Sequence, residues 1–129
     1  MSLRRFRALL SFLSLALAVT LAPVTLQAQN LFAPVVRVND AVITRFELNQ
    51  RIAFYEILNA PGDLEEFARE RLIEERLQKA AAERLGITVT EEQLAAGMEE
   101  FASRGSLNAE QFVAALAERG IARETFEEF

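Results

Sequence analysis

Carboxylates are what this 129-residue chain offers for chemistry: it has nineteen Asp and Glu, and neither histidine nor cysteine. Those two absences remove Ser-His-Asp and Cys-His catalysis and most ways of building a transition-metal site. Paired carboxylates could still do acid–base work. Every candidate pair, however, falls on a helical face where acids alternate with arginines, and a solvated face accounts for that pattern. No glycine-rich loop of the phosphate-cradling kind is present, so no nucleotide is implied. The expectation is a chain without enzymatic chemistry, cofactor or metal. Without cysteine, no disulfide supports the fold either.

The apolar side chains say more. Ten Phe accompany one Tyr and no Trp. Phe gives a large contact area with no polar atom to satisfy, which suits a core and equally a cleft that accepts many apolar sequences. In the first expected helix Leu48, Ile52 and Tyr55 follow one row, Phe46, Ala53 and Ile57 a second, and Phe54 with Leu58 a third. One packing partner cannot cover all three rows. Either a hairpin and a second helix cover them, or part of the surface stays open to bind apolar segments of other proteins. On the second reading Phe46, Phe54, Tyr55 and Ile57 are the candidate contacts.

The elements that would hold those residues are legible in order. Arg4, Arg5 and Arg7 precede an uncharged run of about 14 residues, Ala8 to Leu21, shorter than the roughly 20 that cross a bilayer. Basic, then apolar, then small is the layout of a secretory signal peptide, and cleavage is expected after Ala28, giving an exported, periplasmic protein. The alternative is an uncleaved anchor. Past Ala28 the chain carries 11 basic and 19 acidic side chains, a net charge of −8. Such a chain repels phosphate backbones, so nucleic acid is not an expected partner. No later segment is long and apolar enough to insert in a membrane.

Residues 29–34 read as a flexible lead, and 35–129 as one domain. Val36 and Val38 alternate with Arg37, Asn39-Asp40 suits a tight turn, and Val42-Ile43 returns. Thr44 and Glu47 form a capping box for a helix from Arg45 to Leu58. Asp63 caps a second helix from Leu64 to Leu85, with Gly86 as its stop. Leu72, Ile73, Leu77 and Ala80-Ala81-Ala82 spread around that helix, which is therefore expected to be the spine of the domain. Thr90 and Gln93 cap a third helix that ends at Gly105. A fourth runs from Asn108 to Gly120, and a fifth begins at Arg123. The fold class is mainly α, a bundle of about five helices in orthogonal arrangement with a short N-terminal β-hairpin. The fifth helix is too short to hold itself, so Phe126 and Phe129 must dock on something. The chain is expected to be a fragment of a longer protein.

Val35 to Glu47, with its V-V-x-V-N-D-x-V-I-T-x-x-E pattern, resembles the hairpin and first helix of the SurA family of periplasmic chaperones. Arg71 to Leu77 resembles that family's spine helix, Leu85 to Leu94 its "LGI-V-EE-L" junction, and Leu107 to Phe112 with Gly120-Ile121 its next helix and link. Related membrane-anchored foldases and trigger-factor-like chaperones share the unit. The resemblance implies an ATP-independent chaperone domain for unfolded outer-membrane polypeptides. In full-length members, parvulin-type prolyl isomerase domains follow and a late helix returns to the chaperone core. Neither feature is in this chain, so isomerase activity is not carried over. Two other readings stand beside it: a non-catalytic domain that docks a missing isomerase module or a membrane complex, and the front of a prolyl isomerase.

Overall fold

Thr44 is where strand gives way to helix in the computed structural model, which describes residues 30–129. The expected signal segment lies outside the described residues. Pro34–Phe129 forms one unit of the chain. Its hairpin pairs β1 (Pro34–Val38) with β2 (Ala41–Thr44) in antiparallel register, Val36 opposite Ile43 and Val38 opposite Ala41. The first strand starts at Pro34, inside the stretch read as a lead. Asn39 takes a positive φ of 54° to close the turn, as the Asn-Asp pair suggests. So short a hairpin needs a surface to lie on. It finds one on the first two helices, where Ile43 and Val38 are buried.

Five helices follow: α1 (Arg45–Ile57), α2 (Leu64–Arg84), α3 (Glu91–Ser103), α4 (Ala109–Glu118) and α5 (Arg123–Glu127). The mainly α class is therefore correct. Local chemistry sets most of their ends. Thr44, Thr90 and Asn108 each accept from the N3 amide while the N3 side chain, Glu47, Gln93 or Gln111, accepts from the cap amide. Asp63 accepts from the Glu65 and Glu66 amides at 3.0 and 3.1 Å. Each cap satisfies donors that the helix cannot. Glu47 does more than cap, since its second oxygen pairs with Arg76 and so ties the start of α1 to α2.

Two helix stops behave as their sequence implies and one does not. Gly86 and Gly120 take φ of 68° and 74°, and the amides of Ile87 and Ile121 close back on Ala82 and Leu116 at 2.9 and 3.0 Å. This is the Schellman arrangement. At the end of α3 the left-handed residue is Ser106, with φ 60°, and not Gly105. The Leu107 amide then closes on Ala102 at 3.2 Å. Gly105 simply continues the helical turn. Its expected role as the stop is thus corrected: the chain reverses one residue later, which lets Leu107 fold back while Asn108 caps α4.

The expected spine is correct only in its first half. Along α2, Ala68 and Leu72 are buried, but Leu77 is 48% exposed and Leu85, just past the helix, 75%. Ala41 of the hairpin lies beside Arg76, Ala80 and Glu83 of the second half, and Ala80, Ala81 and Ala82 are half-buried, so it is the face bearing Leu77 and the end at Leu85 that stay open. The Gly120→Ala variant is expected to lose about 1 kcal/mol of stability, because alanine strains a left-handed site. In Gly105→Ala the new methyl would meet only the Ala102 carbonyl, at 3.5 Å, and a gain of about 0.5 kcal/mol is expected. Urea unfolding of the two variants side by side checks both.

Candidate functional site

The four residues picked from the sequence do not share one surface. Phe54 is fully buried and Tyr55 is 4% exposed, so both belong to the core and neither is open to solvent. Ile57 is half-buried and packs against that core. Phe46 is 37% exposed and edges a depression of about 310 Å³ with Glu47, Arg51 and Thr125. The reason lies in α5. Its Phe126 and the following Phe129 reach Phe54 at ring-centroid distances of 6.1 and 4.9 Å, and Phe101 and Phe112 complete the enclosure. The hairpin and α2 are the covers for α1 that the sequence suggests. The last helix supplies the third.

Two polar residues on α1 fix where α5 sits. The Gln50 amide donates to the Gly120 carbonyl at 2.9 Å, while its oxygen accepts from the Ala122 amide at 2.7 Å and the Thr125 hydroxyl at 3.3 Å. Ala122 has no side-chain cap of its own, so Gln50 caps α5 from another helix. The next residue, Arg51, is buried to 1% exposure and pairs with Glu75 of α2 at 2.5 Å. Its guanidinium also lies 5.7 Å from the centre of the Phe129 ring, within cation–π range. The Tyr55 hydroxyl faces the same guanidinium without reaching hydrogen-bond geometry. Burial alone would lower the Arg51 pKa. The hydrogen bond and charge of Glu75, with a contribution from Tyr55, outweigh it and hold the value above its ordinary one. Arg51 therefore stays charged. The sequence reading missed it, yet a signal existed: Arg51 stands three residues after Leu48 and four before Tyr55, inside the buried stripe.

The open apolar surface lies elsewhere, where α2 runs out. Past Gly86 the chain is extended, and Leu85, Ile87 and Val89 are 75, 59 and 71% exposed. Ile87 and Val89 enter a groove of about 710 Å³ between the C-terminal half of α2, the start of α3 and the end of α5, with Ala82 and Leu94 in its floor. A smaller hollow of about 320 Å³ shares Val89, Leu94 and Glu127 with it and is backed by Met98, Phe101, Phe126 and Phe129. The two make one apolar trough resting on the aromatic cluster. Its only sequence signal was Ile87 and Val89, two apolar residues of the junction past Gly86. Among the described residues no group of acidic, histidine or cysteine side chains is arranged to hold a metal ion, and no helix is long and apolar enough to cross a membrane.

The family model for the SurA-like N-terminal domain matches residues 3–129. The chain belongs to that family. This SurA-like chain is 37% identical to the Chaperone SurA of Alcanivorax borkumensis over 124 residues, which cover 88% of the chain and 28% of that protein. It is 34% identical to the Chaperone SurA of Pseudomonas fluorescens strain Pf0-1 over 97 residues, 67% of the chain and 22% of that protein. The chain thus spans about a quarter of the length of these curated relatives. No solved structure matches it significantly. A SurA-like N-terminal domain is a chaperone-type domain.

Glu75→Ala is expected to cost about 3 kcal/mol, because it strands the Arg51 charge in the interior. The double variant Arg51→Met, Glu75→Gln is expected to recover most of that loss, since no lone charge remains. Thermal denaturation of the single and double variants gives the comparison.

Proposed function

We propose that the chain is an ATP-independent periplasmic chaperone domain that shelters unfolded outer-membrane polypeptides in the apolar trough between α2, α3 and α5. The observation that carries this reading is the exposed pair Ile87 and Val89, contiguous with the hollow over Phe101 and Phe129. Apolar surface of a guest laid on it gains about 25 cal/mol for each Å² covered. Strands of an unfolded β-barrel alternate apolar and polar groups and are hard to keep in solution alone. With no nucleotide to drive release, the affinity must be modest and the exchange fast. The basic, apolar and small residues at the start of the chain support export to the periplasm, and the family supports a binding role over a catalytic one.

In this reading the four residues named from the sequence divide. Phe46 and Ile57 do not line the trough, while Phe54 and Tyr55 act from beneath by holding Phe126 and Phe129 in place. Light scattering by an unfolded outer-membrane protein, diluted into buffer with the full chain in several-fold excess, is expected to fall. Ile87→Ser with Val89→Ser removes two exposed apolar side chains without touching the core, and is expected to abolish most of that protection. Unchanged scattering with the unaltered chain would falsify the reading.

A further inference from the structure

The rim of the large groove differs from its floor. Five glutamates, Glu75, Glu83, Glu91, Glu127 and Glu128, and one cation, Lys79, stand around it. Two of the acids already have partners, Glu75 in Arg51 and Glu127 in Arg123. Glu83, Glu91 and Glu128 are exposed and make no ion pair among the described residues, and the same holds for Lys79. Three unpaired carboxylates against one ammonium leave the rim an excess of negative charge over an apolar floor of Ala82, Ile87, Val89 and Leu94. Low-dielectric walls lined with one sign of charge concentrate the field where a guest would enter. The net charge of −8 beyond the first 28 residues adds to the same field at longer range.

We propose that this groove selects polypeptide segments whose apolar side chains are flanked by lysine or arginine. The apolar groups rest on Ile87, Val89 and Leu94, and the flanking cations meet Glu83, Glu91 and Glu128. The proposal rests on the function given above and names the class of segment that the groove takes. A segment flanked by acids would face three unpaired carboxylates against one unpaired cation, Lys79, across the rim. A neutral segment would gain the floor alone. The selection is electrostatic and lies at the solvent boundary, so it weakens as salt rises.

Three labelled peptides with one shared apolar sequence, flanked by Lys/Arg, by Ser/Gln or by Glu, test this by fluorescence anisotropy with the full chain. At low salt the cationic peptide is expected to bind roughly tenfold tighter than the acidic one, as three exposed pairs of ordinary strength imply. Moderate salt is expected to shrink that gap. In the variant Glu83→Gln, Glu91→Gln, Glu128→Gln the gap is expected to close to about twofold while the neutral peptide binds as before. Equal binding of all three peptides to the unaltered chain overturns the charge selection and leaves the chaperone reading standing. A gap that survives in the triple variant also overturns it, because overall charge and not this rim would then be responsible. Loss of peptide binding with rising protein concentration means that a second copy fills the groove, and overturns it as well. Binding of none of the three peptides removes both the selection and the function on which it rests.

Discussion

Phe126 of α5 touches the ring of Phe54 on α1 at 6.1 Å, and the domain depends on that contact. A helix of five residues cannot persist in water by its own hydrogen bonds. It holds because Phe126 is 4% exposed among Phe54, Phe101 and Phe112, drawn from α1, α3 and α4. α1 thus shares one aromatic contact surface with the consecutive helices α3 and α4, and the last helix is the piece that closes it. If α5 were to leave, Phe54 would be open to water, and the backing of the apolar trough would leave with it. Binding surface and core are two sides of the same set of rings.

Apolar contact alone does not say which way so short a helix should lie. Gln50 and Arg51 supply the direction. Gln50 gives the first turn of α5 the cap that its own sequence lacks, and Arg51 sets a charge beneath the Phe129 ring. Neither interaction is large, and the buried pair of Arg51 with Glu75 is weak grounds for stability by itself. Their value is positional: each is satisfied in one arrangement of α1, α2 and α5 and in few others.

What the sequence disclosed and what it withheld divide along one line. Caps and stops depend on residues three or four apart, so Thr44, Asp63, Thr90 and Asn108 could be read directly, as could Gly86 and Gly120. Even there, the end of α3 was set by how Leu107 folds back, which moved the left-handed residue from Gly105 to Ser106. The fate of an apolar row depends on residues seventy positions away. Phe54 and Tyr55 looked like surface candidates because the covering role of α5 is a tertiary fact. For the same reason α2 looked like a spine along its whole length, though Leu77 and Leu85 are left exposed. The trough was marked only by Ile87 and Val89, two apolar residues of the junction past Gly86 whose exposure no local rule decides.

Tyr55 is the one tyrosine of a chain without tryptophan. Its ring lies against Phe67 at 4.8 Å and beside Phe129 at 6.1 Å, with its hydroxyl toward a buried cation. Under excitation at wavelengths that phenylalanine does not absorb, ultraviolet emission from this protein therefore has a single, unlabelled source, placed where α1, α2 and the chain beyond α5 converge. Loosening of the last helix would register optically at one known atom group, while the trough itself stays dark. A guest that carries its own indole could then be watched separately, in the same cuvette and without chemical tagging of either partner.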